Sequence, residues 1–240
     1  MFSERHLLFL LICAVLTAGA TVLSVRRRLP SRTAAKIFAV ICVLSELVKD
    51  MASMIPSEFG GLVLDPNDIP LHLCSMIVFA VLLLTFTKRE RLREGLLSAV
   101  VTAGTVAPLF ALLLPTEGVD FSRAQCWQYF LYHAALLWFS LHHLLTGQAE
   151  MGARAYRGNL AVLSVIVLLM LYINSALSSY GVNFYFLRMP PAEGLPLLNL
   201  EHGWYHYFAV LLLIGYGSVT LIHAPFLIRE KRQAAGKRKE

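Results

Sequence analysis

The sequence predicts an all-α membrane protein, a bundle of seven transmembrane helices in a single domain. Three observations lead to this prediction. Of the 240 residues, 57% are hydrophobic and only 15% are charged, which is typical of integral membrane proteins. Seven apolar segments can be drawn, each close to the roughly 20 residues that a helix needs to cross about 30 Å of hydrocarbon. The loops between these segments are alternately rich and poor in Lys and Arg.

The seven predicted helices follow one another through short connections that leave no room for a separate globular domain. They cover Leu7–Val25, Ala34–Ile55, Pro70–Thr87, Gly95–Leu114, Cys126–Thr146, Asn159–Ser178 and Trp204–Ile228, with a basic tail at 229–240. The first segment is followed, not preceded, by its basic cluster, which favours an outward-facing anchor over a cleaved signal peptide.

Positive charge marks the loops that we expect in the cytoplasm. Basic residues cluster after the first, third, fifth and seventh segments, whereas the other three loops hold only Arg123 and Arg188. The positive-inside rule therefore places the amino terminus outside and the carboxyl terminus in the cytoplasm. These flanks also explain the formal net charge of +6, so we expect contact with anionic lipid headgroups and no binding to nucleic acid.

Polar side chains inside the apolar segments fall mostly in the halves nearest the predicted outer face. They are Glu46, Lys49, Asp50, His72, Cys74, His133, Asn174 and His206. A charge at the bilayer centre costs about 2.5–3.5 kcal/mol on insertion scales, so such residues usually face the bundle interior and mark a site. The sequence therefore predicts an outward-facing polar cavity.

The start of segment three is the richest stretch for chemistry. It reads Asp68-Ile69-Pro70-Leu71-His72-Leu73-Cys74-Ser75, and Pro after an acidic residue predicts that a helix begins at Pro70. Cys74 would then lie about one turn inside a helix amino terminus, a position that favours the nucleophilic thiolate. His72 lies about 200° from Cys74 around a regular helix. The two side chains therefore cannot both point at the same axis unless the first turn is irregular. The alternative is that His72 faces the surface and Cys74 is a packed structural residue.

Segment five supplies a possible partner for that thiol. His133 lies about 10 Å along the axis from the start of its segment, where it is either a bridging core histidine or a base. A Cys-His pair with a third group that orients the imidazole is the usual minimum for a thiol nucleophile, and Glu46, Asp50 and Asn174 are the candidates for that group. We expect His142 and His143, at the other end of the segment, to be interfacial.

The cysteines allow one further possibility. Cys13 and Cys42 lie in mid-segment and are expected to be small core residues. Cys74 and Cys126 lie near the outer ends of their segments, so an oxidising outer compartment would permit a disulfide between them.

Two further groups have open roles. Glu46, Lys49 and Asp50 share one helix face, either as a structural ion pair that lines the cavity or as residues that handle substrate or protons. The stretch from Asn174 through Asn183 to Leu187 leads into an outer loop that we expect to form a lid or re-entrant shelf.

Histidines offer the one metal-site possibility. His202 and His206 lie four residues apart and could bind metal from one helix face, with His72 and His133 completing a zinc site. No further tight spacing supports it, so we predict no resident metal, and no motif for a nucleotide or haem cofactor is present.

Three features together resemble a known family. They are Leu71-His72-Leu73-Cys74-Ser75 at a helix start, His133 near the outer end of segment five, and Asn174…Gly181-Val182-Asn183-Phe184-Tyr185-Phe186-Leu187 leading to Trp204-Tyr205. With these motifs the chain resembles, over nearly its whole length, the bacterial YwaF-like integral membrane proteins, relatives of the eukaryotic transmembrane protein 164 family. The Ser178-Ser179-Tyr180 stretch, the proline-rich loop and the His202/His206 pair depart from the family pattern.

The resemblance implies a function as well as a fold. The eukaryotic relatives are described as acyltransferases that move fatty acyl groups between phospholipids through a cysteine acyl-enzyme. Carried over by position, this implies Cys74 as the nucleophile, His133 as the general base and His72 nearby. It also implies a bacterial cell membrane and membrane lipids as partners.

Three functions therefore compete on the sequence alone. The first is lipid acyl transfer or thioesterase chemistry through Cys74 and His133. The second is a small-molecule or proton-coupled transporter or sensor that uses the same cavity, with Glu46 essential and Cys74 dispensable. The third is a metal-dependent lipid hydrolase built on the histidines.

Overall fold

A computed structural model describes residues 3–56, 60–115, 119–192 and 194–237. Within these ranges the chain forms seven α-helices, so the predicted all-α class is confirmed there. They are α1 (Glu4–Arg26), α2 (Ser31–Ala52), α3 (Leu73–Phe86), α4 (Glu90–Leu113), α5 (Ala124–Thr146), α6 (Ala153–Ala176) and α7 (Trp204–Lys237).

The helices have the length and surface of membrane helices. Four of them, α1, α4, α6 and α7, are long and apolar enough to cross a membrane, and α3 is a shorter apolar helix. Large apolar side chains such as Val15, Leu168 and Leu221 are exposed along α1, α6 and α7. Water-soluble monomers rarely expose contiguous apolar surface on this scale, so these faces suit contact with lipid. The number of spans and their orientation stay predictions.

Two helix ends differ from the sequence prediction. Helix α3 begins at Leu73 and not at Pro70, because Pro66–Asp68 forms a 3₁₀ turn and His72 adopts an extended conformation as the residue before the helix. Helix α7 continues to Lys237, so the predicted tail extends this helix through a stretch rich in good helix formers.

A small β-hairpin follows α2, where the predicted second helix was too long. Strands β1 (Met54–Pro56) and β2 (Leu62–Leu64) pair antiparallel. Gly60 and Gly61 adopt φ angles of +85° and +84° before β2, a conformation that glycine tolerates at little cost. Ile55, expected to be helical, is therefore in a strand.

Helix α5 lies at the centre of the bundle, packed against α1, α2 and α4, while α3 packs between α2 and α4. The α4–α5 contact depends on Gly104, because a Cβ there would lie 2.4 Å from the Ser140 Oγ and 2.6 Å from a Leu136 Cδ1. Helices α6 and α7 pack on each other and on α4. The amino-terminal end of α3 therefore meets the flanks of α2 and α5, which position the candidate site.

Candidate active site

Cys74 and His133 lie in direct contact. Cys74 is the second residue of α3, and His133 is the tenth residue of α5. The Cys74 Sγ is 3.1 Å from the His133 Nε2. His133 is buried and Cys74 half-buried. The structure thus brings together the two residues that the sequence singled out as nucleophile and base.

The bonding of the imidazole fixes the direction of this contact. The His133 Nδ1 is 2.6 Å from the Tyr129 carbonyl oxygen one turn earlier in α5. A carbonyl can only accept, so Nδ1 carries the hydrogen, and in a neutral ring Nε2 then accepts. The Cys74 thiol therefore donates to Nε2, the arrangement that a base needs in order to take the thiol proton.

The group that orients His133 is a backbone carbonyl and not a side chain. Glu46, Asp50 and Asn174 were the sequence candidates, and none of them bonds His133 in the described part of the chain. The bond from Nδ1 to the carbonyl four residues earlier is local to α5, so it needs no long-range partner. The flanking rings of Tyr129 and Tyr132, with centroids 4.4 and 5.5 Å from that of His133, hold the imidazole further.

The first turn of α3 is held from α5 as well. The Tyr132 hydroxyl donates to the Cys74 carbonyl at 2.7 Å, so consecutive residues of α5 contact the side chain and the backbone of Cys74. Cys74 also lies in the first turn of a helix, where the backbone N–H groups and the helix dipole favour negative charge.

His72 is close in sequence but lies in different surroundings. Its Nε2 donates to the Asn67 carbonyl at 3.2 Å, and its ring packs against Phe184 and Phe186 at centroid distances of 5.2 and 5.9 Å. The extended backbone at His72 turns the side chain toward the loop after α6. Its predicted catalytic role is therefore not supported by contact with Cys74.

A charged cluster borders the pair on the α2 side. The Lys49 ammonium pairs with Glu46, lies 3.6 Å from Asp50, and donates to the Ser75 hydroxyl at 2.9 Å. Ser75 in turn donates to Glu46 at 3.2 Å. The side chains of Lys49 and Glu46 are only 17% and 18% exposed. Because Ser75 directly follows Cys74, this cluster ties the first turn of α3 to α2, as expected of a structural ion pair.

Residues Val182–Leu187, which we call the strap, lie against the start of α3. The buried Asn174 side chain donates to the Phe184 carbonyl at 2.9 Å and accepts from the Phe184 N–H at 2.8 Å. Tyr185 and Phe186 both adopt left-handed backbone with φ of +57° and +55°, which is unusual for aromatic residues and marks a locally strained segment. This packed segment occupies the place of the predicted lid or shelf.

Tyr185 points from the strap toward α3. Its hydroxyl donates to the Met76 sulfur at 3.2 Å. Burial, reinforced by the nearby Cys74 thiol, raises the pKa of Tyr185 well above its usual range. The phenol therefore stays neutral and able to donate beside the Cys74 turn. Sequence reasoning missed this residue, although its place in the motif that carried the family resemblance was a signal.

Two predicted cavity residues do not reach the Cys74 pair. Asn183 accepts from the Arg188 N–H at 3.0 Å and donates to the Met189 carbonyl at 2.9 Å, so it organises the end of the strap. His206 is exposed and packs against His202 with ring centroids 5.1 Å apart. Within the described ranges, no three or more His, Cys, Asp and Glu residues come together as metal ligands, so His202 and His206 do not join His72 and His133.

Three other sequence expectations can be compared with the structure. His142 and His143, expected at the membrane interface, are fully buried within the bundle, where they bond the Leu29 carbonyl and the Ser31 hydroxyl. All four cysteines are free, and Cys126 accepts from the Asp120 N–H at 3.4 Å, away from Cys74. Buried Asn159 donates to Thr102 and contacts His223 at the other end of the bundle. The prediction that intramembrane polar groups favour one end is therefore incomplete.

Comparison with known proteins gives one match. A family model described as the TMEM164 family matches residues 1–222, which is most of the chain and includes every residue of the Cys74 site. No curated protein and no solved structure matches the chain.

Proposed function

We propose that this chain, which belongs to the TMEM164 family and is a multi-pass membrane protein, transfers fatty acyl groups between membrane lipids through a cysteine acyl-enzyme. One observation carries the proposal. The Cys74 thiol donates to a buried imidazole whose other nitrogen is bonded to a carbonyl. A thiol and a base in hydrogen-bond contact, with the base oriented by a third group, is the signature of nucleophilic catalysis.

The residues define a first half-reaction. The Cys74 sulfur attacks the carbonyl carbon of a lipid ester while the thiol proton passes to the His133 Nε2. The tetrahedral intermediate collapses with cleavage of the carbon–oxygen bond, and the leaving alkoxide takes the proton from Nε2. The products are a lysolipid with a free hydroxyl and a thioester on Cys74, and His133 is neutral again.

The second half-reaction reverses these roles. A hydroxyl of an acceptor lipid gives its proton to the His133 Nε2 and attacks the thioester carbonyl, and the departing Cys74 sulfur recovers the proton. If water takes the place of the acceptor, the product is a free fatty acid. The strap and the flanking tyrosines keep the first turn of α3 packed, and exclusion of water favours transfer over hydrolysis.

The proposal includes the arrangement in the membrane. All seven helices cross the bilayer, with the amino terminus outside and the basic carboxyl-terminal end of α7 in the cytoplasm of the cell membrane. Loop charge supports this orientation. In this arrangement, Cys74 and the strap lie near the outer leaflet, and a lipid ester reaches the thiol from that leaflet.

Acyl exchange between a labelled phospholipid and a lysolipid in proteoliposomes tests the function. We expect Cys74→Ala to abolish exchange and His133→Gln to lower its rate about 10²- to 10⁴-fold, the usual contribution of a general base. Cys126→Ala is the matched control, because this thiol lies near the start of α5 and contacts the Asp120 N–H. It should leave the rate unchanged. Exchange that persists undiminished in Cys74→Ala would rule out the proposed nucleophile.

A further inference from the structure

A surface cavity near the strap has a lining that includes neither Cys74 nor His133. It has a volume of about 400 Å³ and opens at the surface between the end of α6, the strap and the start of α7. Its lining includes Leu171, Ser175, Ser178, Leu187, Arg188 and Trp204. A pocket of a few hundred Å³ that combines apolar walls with a few polar groups is typical of a small-ligand site.

Arg188 is held in place before any ligand arrives. Its backbone N–H donates to the Asn183 side chain at 3.0 Å, and its Nη1 donates to the Val182 carbonyl at 3.0 Å. The preceding carbonyl, that of Leu187, accepts from the Trp204 indole at 2.9 Å. The guanidinium is therefore held by the strap, and the Trp204 bond ties the neighbouring backbone to α7. A side chain that is already held in place lowers the entropy cost of binding.

The charge of Arg188 is not neutralised by a carboxylate in the described ranges, where the ion pairs involve Arg32, Arg93 and Lys49. A guanidinium has five N–H donors, and the bond to Val182 uses one of them. The Ser175 and Ser178 hydroxyls line the same cavity. Several donors around one fixed positive charge suit an anion with several acceptor oxygens, and Arg matches phosphate well.

The apolar part of the cavity indicates whether that phosphate is a free ion or part of a lipid. Leu171 and Leu187 line it, and Trp204 stacks on Phe208 with ring centroids 4.9 Å apart. Exposed apolar side chains continue along α6 from the cavity, among them Leu168 and Tyr172. A free phosphate would leave this surface unused, whereas acyl chains would cover it.

We propose that this cavity, the Arg188 groove, binds a glycerophospholipid, with the phosphodiester on Arg188 and the acyl chains along α6. The lining of the groove does not include Cys74 or His133, so the proposed lipid site is distinct from the thiol. The inference does not rest on acyl transfer, and binding should be the same whether or not Cys74 reacts.

Photo-crosslinking tests the groove on the full-length protein, delipidated in detergent. The probe is a phosphatidylglycerol with a diazirine in one acyl chain, and cross-linked peptides are identified by mass spectrometry. We expect saturable cross-links on peptides that contain Leu171 or Leu187. Unlabelled phosphatidylglycerol should compete, whereas diacylglycerol and glycerol phosphate should compete far less, because each lacks either the phosphate or the chains.

Substitutions distinguish the contribution of the Arg188 charge from a general effect on folding. Arg188→Gln should weaken the apparent affinity about 10- to 100-fold, the loss expected for a hydrogen-bonded charge, while Arg188→Lys should retain part of it. Arg123→Gln, at an exposed arginine before α5, is the matched control and should bind normally, as should Cys74→Ala.

Three results would overturn the inference. Unchanged cross-linking in Arg188→Gln would show that the charge plays no part. Equal competition by diacylglycerol would show that the groove recognises only acyl chains. Equal competition by glycerol phosphate would identify a soluble phosphate ligand.

Discussion

The bonds between Asn174 and the strap give a prediction whose size can be worked out. Asn174 is 2% exposed and Phe184 is fully buried, and the amide satisfies both the N–H and the carbonyl of Phe184. In Asn174→Leu, a side chain with the same branching remains, but the Phe184 N–H loses its partner and the Phe184 carbonyl keeps only the bond from the Leu187 N–H at 3.3 Å. A hydrogen bond makes a net contribution of about 1 kcal/mol to stability, and a buried polar group without a partner costs about 1–3 kcal/mol.

The expected cost of Asn174→Leu is therefore about 2–4 kcal/mol for the native strap relative to an opened one, a factor of roughly 30 to 700 in the opening equilibrium. Asn174→Asp should cost at least as much, because its carboxylate still accepts from the Phe184 N–H but sets a buried negative charge against the Phe184 carbonyl oxygen. Since the strap packs on His72 and Met76, opening should expose the Cys74 turn.

Two measurements detect the opening of the strap in the folded protein. Hydrogen exchange of the amides at 182–187 should lose protection by that factor, and the rate of Cys74 alkylation should rise in the same order across the variants. Asn199→Leu is the control, because among the described residues the Asn199 side chain bonds only backbone groups of its own turn, at Leu195, Pro196 and Glu201. If Asn174→Leu matches the wild type in both exchange and alkylation, the strap is not held by this amide and the reasoning fails.

Three further predictions concern stability and topology. Gly104→Ala should lower the free energy of unfolding in mixed detergent micelles by about 1–3 kcal/mol, because the new methyl group overlaps Ser140 and Leu136. Gly95→Ala is the control, because a Cβ there meets open space, and it should be neutral or slightly stabilising. Equal effects of the two substitutions would contradict the close α4–α5 contact. Lys49→Met should lower the free energy of unfolding by about 1–3 kcal/mol, because it leaves the Glu46 charge unpaired at a site shielded from water. The double variant with Glu46→Gln should lose less than the sum of the two single variants. Additive losses would contradict an energetic coupling between Lys49 and Glu46. In a cysteine-free background, Ala234→Cys should react with a membrane-impermeant thiol reagent only after permeabilisation, and labelling of intact cells would reverse the proposed orientation.

The order of helices could be predicted from the sequence because each follows from a continuous apolar segment of the right length. The exact residues at which the helices begin and end could not be predicted. Proline at position 70 predicted a helix start, but the backbone at His72 is still extended. Strand β1 begins within the predicted second helix, and β2 lies in the predicted loop after it. Apolar runs of a few residues do not distinguish strand from helix without their partners.

For the candidate site, the sequence singled out Cys74 and His133, which the structure brings into contact, but it did not predict how the His133 ring is held. Depth along a helix follows from residue number, whereas which faces meet depends on long-range packing, such as the Gly104 contact of α4 with α5. The Tyr129 carbonyl that bonds His133 has no signature in the sequence, because every residue has one. The charged cluster was foreseen from the spacing of Glu46 and Lys49, but its bond to Ser75 was not.

The most direct test of the central claim is the intact mass of the purified, reduced protein after incubation with phospholipid. The account predicts a mass increase equal to one fatty acyl group that neutral hydroxylamine removes, and none in Cys74→Ala. A folded, reduced protein that gains no acyl mass from any of several phospholipids, or a Cys74→Ala variant that gains the same mass, would contradict it.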